Sequence, residues 1–170
     1  MDRDGNQYPV IRLVGKQWLG KNLNLNIPDS WCYGNLPANC DQYGRLYTWE
    51  AAKTGCAAFG AGWRLPTDED WQALADAFGG IWKLGERESG ESAYKALLKD
   101  GSSGFAALLA GVRFSDGEFF DLGRDGYYWS STENDAADAW LYWFYSDFQS
   151  LLRNYYDKGR GFSVRCLKDD

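Results

Sequence analysis

Four groups of residues in this 170-residue sequence have types and spacings that could do chemistry: four cysteines, a run of acids at 68–70, an Asp-rich N-terminal turn and a dense aromatic stretch near the C-terminus. Histidine is absent. Its absence removes the commonest general base and metal ligand, and with it Ser-His-Asp schemes, Cys-His schemes and His-based zinc sites. The cysteines are Cys32, Cys40, Cys56 and Cys166. No C-x-x-C occurs, so neither a zinc ribbon nor a thioredoxin-like motif is supported. Four cysteines allow three pairings, of which Cys32–Cys40 with Cys56–Cys166 is favoured; the alternative is four reduced, buried thiols. The first bridge would staple a Gly/Asn/Pro-containing loop, and the second would tie the chain's end to its middle. An even count in an aromatic-rich, His-free domain points to an oxidising compartment.

The acids have plainer uses. Asp68, Glu69 and Asp70 follow Pro66 and Thr67, a good N-cap, so they place negative charge in the first turn of a helix rather than forming a catalytic cluster. Asp2-x-Asp4-Gly5-Asn6 resembles the start of a calcium loop, but the Glu at its twelfth position is missing. An Asp-Gly turn leading into a strand is the better reading. No metal site and no cofactor are expected.

The aromatics stand out: nine Trp, eleven Tyr and nine Phe. A core absorbs many of these, but Trp and Tyr also carry interface energy. In a strand over Ala139 to Tyr145, Leu141, Trp143 and Tyr145 share one face, and Trp140, Tyr142 and Phe144 the other. Both faces are aromatic, so both need cover. The core can supply one; the other needs a neighbouring strand, a partner or a ligand. Phe148, Ser150 and Leu152 alternate in a next strand, and Asn154, Tyr155 and Tyr156 are expected in a polar connection. This Tyr/Trp/Ser/Asn mixture is what paratopes use. The alternative is a doubly covered sheet with no binding role.

The elements that must position these residues can be read in order. Tyr8 to Leu13 is β-branched and apolar, a strand. Residues 24–45 form an irregular loop, and Thr48 caps a short helix through Trp49, Ala51 and Ala52 that Gly55 ends. The clearest helix is Thr67 to Phe78: Trp71, Leu74, Ala75 and Phe78 form one buried stripe, and Gly79-Gly80 stops it. A weaker helix spans Ser92 to Lys99. Val112 to Phe114 and Glu118 to Leu122 flank Asp116-Gly117, a hairpin signal. Strands follow at Tyr127 to Ser131, Ala139 to Tyr145, Phe148 to Leu152 and Phe162 to Leu167. Two or three helices followed by a mostly antiparallel, twisted sheet is an α+β order in a single domain over 1–170.

Charge and hydropathy restrict the partners. Net charge is −6, and the 18 Lys and Arg are scattered and outnumbered by 24 acids, which excludes a nucleic-acid face. No apolar run approaches the ~20 residues of a membrane-spanning helix, so no direct membrane insertion is expected. Met1-Asp2-Arg3-Asp4 is no signal peptide; an exported protein would have had its signal trimmed from this sequence.

Several blocks occur in order: Gln17-Trp18-Leu19-x-x-Asn22-Leu23, Cys32-Tyr33, Asn39-Cys40-x-x-Tyr43-Gly44-Arg45-Leu46-Tyr47-Thr48-Trp49, Gly62-Trp63-Arg64-Leu65-Pro66-Thr67, Gly104-Phe105-x-Ala107, Ala110-Gly111-x-Arg113, Tyr128-Trp129-Ser130-Ser131-Thr132-Glu133 and Gly161-Phe162-Ser163-Val164-Arg165-Cys166. Together they closely resemble the Fibrobacter succinogenes major paralogous domain of exported bacterial proteins, over nearly the whole chain. The resemblance implies a C-type lectin-like fold with its ends close together, a lower helical part and a sheet supporting a variable upper surface. It also supports the Cys56–Cys166 pairing.

The last 40 or so residues resemble, more loosely, the variable proteins of diversity-generating retroelements, in which alternate residues of a strand vary between a Trp-Ser-Ser block and a Gly-Phe-Ser-Val-Arg-like strand. That resemblance implies a variable ligand-binding region over 134–160. Leu141, Trp143, Tyr145, Phe148, Ser150, Leu152, Asn154, Tyr155 and Tyr156 would then be its exposed, ligand-facing positions.

The function expected is non-catalytic recognition of a protein or peptide ligand by a secreted or cell-surface domain. The rival readings are a glycan as ligand, bound without calcium, and a structural module of a bacterial surface protein. Calcium-dependent sugar binding is disfavoured because Glu-Pro-Asn, Gln-Pro-Asp and Trp-Asn-Asp triplets are all missing. Chemistry like that of formylglycine-generating enzymes needs reactive thiols, which a structural pairing would remove.

Overall fold

The computed structural model describes residues 1–86 and 88–170. Strands β1 (Val10–Leu13) and β2 (Lys16–Leu19) form a hairpin. The final strand, β10 (Leu167–Asp169), pairs antiparallel along the other edge of β2, so the two ends of the chain meet on one strand. Between them lie the short pair β3 (Ser30–Trp31) and β4 (Leu46–Tyr47) and the helices α1 (Pro37–Tyr43), α2 (Trp49–Phe59), α3 (Asp68–Asp76) and α4 (Glu91–Leu97). A five-stranded sheet follows, built from β5 (Ala110–Arg113), β6 (Phe119–Leu122), β7 (Gly126–Glu133), β8 (Asp138–Tyr145) and β9 (Ser150–Asp157) in the order β6-β5-β7-β8-β9. Its pairings are antiparallel except β5 with β7. The chain is therefore α+β, with four helices among the described residues rather than two or three.

The helices start where local chemistry says they should. Thr67 accepts from the Asp70 backbone N–H while the Asp70 carboxylate accepts from the Thr67 N–H, a reciprocal capping box. Gly79 and Gly80, at φ of 110° and 86°, take the chain out of α3 in a conformation that disfavours side chains. Thr48 caps α2 through the Ala51 N–H, but Gly55 does not end this helix. A Cβ at Gly55 would lie 2.8 Å from Leu23 Cδ2, so glycine here permits close packing inside the helix, which runs on to Phe59. Residues 24–45 are also more ordered than a loop. Pro37 occupies the first turn of α1 and Gly44, at φ 78°, ends it, an asymmetry that favours a helix between them. Cys40 on α1 bonds to Cys32, as expected.

The Asp2 turn is also as expected. Its carboxylate accepts from the N–H groups of Asp4 and Asn6 and from the Tyr8 hydroxyl at 2.7 Å. Burial pushes this carboxyl up, but the donors from Asn6 and Tyr8 outweigh it and hold it below the ordinary carboxylate range.

Both faces of the large sheet are covered. On one, Trp129, Ala139 and Leu141 join α2 residues Ala52 and Cys56 and the buried Phe162 and Val164. On the other, Tyr128, Tyr142, Phe144 and Leu151 pack on Trp71 and Leu74 of α3 and Ala93 and Leu97 of α4. Trp71 stacks on Tyr142 at 5.2 Å. The segment 162–167 is not one strand. Its N–H groups go to different elements: Phe162 to the Tyr47 carbonyl, Ser163 to Tyr127 and Leu167 to Arg64. It threads between the layers, fully buried, and Cys166 within it bonds to Cys56 of α2. All four cysteines are paired, which fits an oxidising, extracytoplasmic environment. Among the described residues no helix is long and apolar enough to cross a membrane.

Candidate functional site

The register of β8 on β9 decides which aromatics meet. Leu141 lies opposite Asn154, Trp143 opposite Leu152, Tyr145 opposite Ser150 and Ala139 opposite Tyr156. Directly paired residues share a face, so these form one side of the strand pair. Trp140, Tyr142 and Phe144 form the other, beside Tyr155, Arg153 and Leu151.

The nine expected ligand-facing residues therefore divide. Trp143, Tyr145, Leu152, Asn154 and Tyr156 are half-buried on the first face. Phe148, 63% exposed, sits in the turn between β8 and β9 instead of starting a strand. Leu141 and Ser150 are fully buried and not exposed as expected. Leu141 belongs to the core beneath the sheet, and the Ser150 hydroxyl donates to the Ser89 carbonyl. Tyr155 is 45% exposed but points to the opposite side. Asn154, Tyr155 and Tyr156 are not in a connection: β9 continues through them to Asp157.

On the first face the rings form a continuous file. Tyr156 lies 6.3 Å from Phe162, Phe162 stacks on Tyr127 at 5.3 Å, Tyr127 on Trp143 at 5.3 Å, Trp143 meets Tyr145 at 4.5 Å and Tyr145 meets Phe148 at 5.0 Å. Burial falls along it, from Phe162 at the base to Phe148 at the open end. Sequence reasoning missed Tyr127 and Phe162 as members, because only the register of β7 on β8 brings Tyr127 opposite Trp143.

Asp125, 2% exposed, anchors the open end. The Trp143 indole Nε1–H donates to Asp125 Oδ2 at 3.0 Å, and the Ser146 N–H and hydroxyl both donate to Oδ1 at 3.0 Å. The Tyr127 hydroxyl donates to Asp121 Oδ2 at 2.9 Å. Burial, together with Asp121, pushes the Tyr127 phenol well above its ordinary value, and desolvation with Asp147 raises Tyr145. Both phenols stay protonated donors at neutral pH. Asp121, Asp125 and Asp147 give the open end an acidic border, in which Arg124 pairs with Asp147 at 2.7 Å.

The opposite face is held by an ion pair, with Tyr155 partly exposed at its edge. The Arg153 guanidinium lies 3.3 Å over the Trp140 ring and grips Asp68 through both Nε and Nη2. Tyr155 meets Trp140 edge-on at 5.1 Å. Asp68 thus joins α3 to β9 and Asp70 caps α3, so both act as structure. No group of three or more Cys, Asp and Glu is placed to hold a metal among the described residues.

No curated protein matches the chain. The blocks that build its scaffold do identify a domain: most of α1 and all of β4 come from the Asn39-to-Trp49 block, most of β7 from the Trp-Ser-Ser block and the buried central thread from Gly161 to Cys166. Residues 3–168 match the Fibrobacter succinogenes major domain, and the chain belongs to that family.

Proposed function

We propose that this chain is a non-catalytic recognition domain with a C-type lectin-like fold, carried by a secreted or cell-surface protein. Its ligand is a protein or peptide, bound at the open end of the aromatic file. The observation that carries this reading is the file itself: Trp143, Tyr145 and Phe148 are preorganised by stacking and by Asp125 yet remain accessible. Rigid aromatic anchors beside polar groups give binding energy at low entropic cost. The acidic border favours a ligand carrying Lys or Arg. The fold reading is supported by the meeting of both chain ends on β2 and by the Cys56–Cys166 tie. The non-catalytic reading is supported by the lack of His and by the pairing of every cysteine. Alternate residues of β8 and β9 share the binding face, the layout that strand diversification by a retroelement would exploit.

A random peptide library selected on the immobilised domain tests this reading. Selected peptides should lose about 2 kcal/mol of affinity with Trp143→Ala or Tyr145→Ala. Tyr155→Ala, on the opposite face, should leave affinity unchanged. Peptides that ignore both first-face substitutions would sink the proposal. The Trp143–Tyr145 pair also has the form of a sugar-stacking platform; a glycan array with and without chelator tests that, and a silent array removes it.

A further inference from the structure

A concavity that shares no residue with the aromatic file lies between the N-terminal turn, α1 and the segment that precedes β5. It has a volume of about 400 Å3, and Arg165 lines its floor. The Arg165 side chain is fully buried, yet every acceptor it meets is neutral: the Asn22 side-chain oxygen at 2.9 Å and the backbone carbonyls of Leu19, Phe105 and Ala106. A guanidinium keeps its charge in proteins, and a buried charge without an opposite one is costly. Ala106 holds a φ of 55°, strained for a residue with a Cβ, and its carbonyl is the one that accepts from Arg165 Nη2 at 2.7 Å.

The rim adds to the imbalance. Lys21 and Lys99 line the cavity, and neither forms a salt bridge among the described residues, while Asp41 is the one acid in the lining. So three cations face one carboxylate in a chain whose net charge is −6. Gln7, Gln42 and Tyr43 also line it, and their side chains make no hydrogen bond among the described residues.

We propose that this cavity binds an acidic sugar of the uronic-acid type. The carboxylate would sit in the field of Arg165 between the two lysines. The hydroxyls would exchange hydrogen bonds with the free amides of Gln7 and Gln42, and the Tyr43 ring offers a face for the sugar's C–H groups. A phosphate fits less well. It calls for several converging N–H donors, and four of the five on Arg165 are already donated to carbonyl oxygens within the protein, so Arg165 supplies mainly field.

The test is a titration of the whole domain, followed by 1H–15N NMR, with D-glucuronate, glucose and inorganic phosphate. Glucuronate should give saturable shifts at the Gln7 and Gln42 side-chain amides and at Ala106. Its affinity should fall by about tenfold in the Lys21→Ala/Lys99→Ala double variant, whose exposed substitutions leave the core intact. Glucose should bind more weakly than glucuronate, and Trp143→Ala should change nothing, which separates this site from the aromatic file. The proposal is overturned if glucuronate produces no saturable shift, if phosphate or glucose binds as tightly, or if the double lysine variant binds glucuronate unchanged.

Discussion

The indole of Trp143 is fixed from two directions: Tyr127 stacks on its face with an interplanar angle of 19°, and Asp125 accepts its N–H. The same carboxylate takes both donors of Ser146, so one buried side chain sets the anchor ring and the turn that carries Phe148. Removing an acceptor of this kind leaves buried donors unpaired, which costs about 1–3 kcal/mol. Asp125→Ala should therefore lower stability by about 2 kcal/mol and weaken any ligand of the aromatic face by loosening Trp143. Asp125→Asn, which keeps one acceptor oxygen, should fall between the two. Urea unfolding together with the Trp143 indole N–H resonance checks this. An alanine variant with full stability and an unshifted indole signal would show that the stack on Tyr127 suffices.

At the scale of elements, α3 joins local and distant structure through Asp70. Its carboxylate caps the helix, accepts from Arg64 Nη1 at 2.6 Å and shares Arg64 with Asp169 of β10. Burial pushes the Asp70 carboxyl up, but Arg64 and the Thr67 donors outweigh this and hold it below its ordinary value. A carboxyl depressed in the folded state stabilises above its unfolded pKa, and that contribution is lost as pH falls through the folded one. Asp70→Asn should thus lower Tm most at neutral pH, and the gap to the parent should narrow as pH drops below ~4. A gap that stays constant down to strongly acid pH would mean that the cap geometry, not the ion pair, is what matters. Such local chemistry is why α3 and the Asp116-Gly117 hairpin are legible in the sequence. Thr67 and Asp70 act within one turn of each other, and Gly79 acts just past the end of the helix they open. Gly55 is not legible in that way, because its reason for being glycine is Leu23, which is distant in the chain. The strand faces around Trp143 follow from alternation alone. The burial of Leu141 and Ser150 and the position of Tyr155 do not, since they depend on which elements cover the sheet and on β9 continuing past Leu152. The thread 162–167 looks like a strand by composition, yet its hydrogen bonds go to separate elements that only the fold assembles.

For the molecule as a whole, the two disulfides have unequal tasks. Cys32–Cys40 closes a separation of 8 residues around the start of α1, whereas Cys56–Cys166 closes 110. In the chain-entropy model the short loop restricts the unfolded chain by about 2.5 kcal/mol and the long one by about 5. The long bridge also holds the central thread against α2, and that thread carries Phe162, the base of the aromatic file. Cys56→Ala/Cys166→Ala should therefore cost about 2 kcal/mol more stability than Cys32→Ala/Cys40→Ala. It should also weaken ligands of the Trp143 face, which the short bridge, holding no segment of the aromatic file, should not affect. Denaturant unfolding of the two double variants under oxidising conditions, with binding measured on each, separates the effects. Equal losses of stability would show that native-state contacts rather than loop length set the value of each bridge. A long-bridge variant that is destabilised but binds normally would show that Tyr127 and Asp125 hold the file in place without help from the thread beneath it.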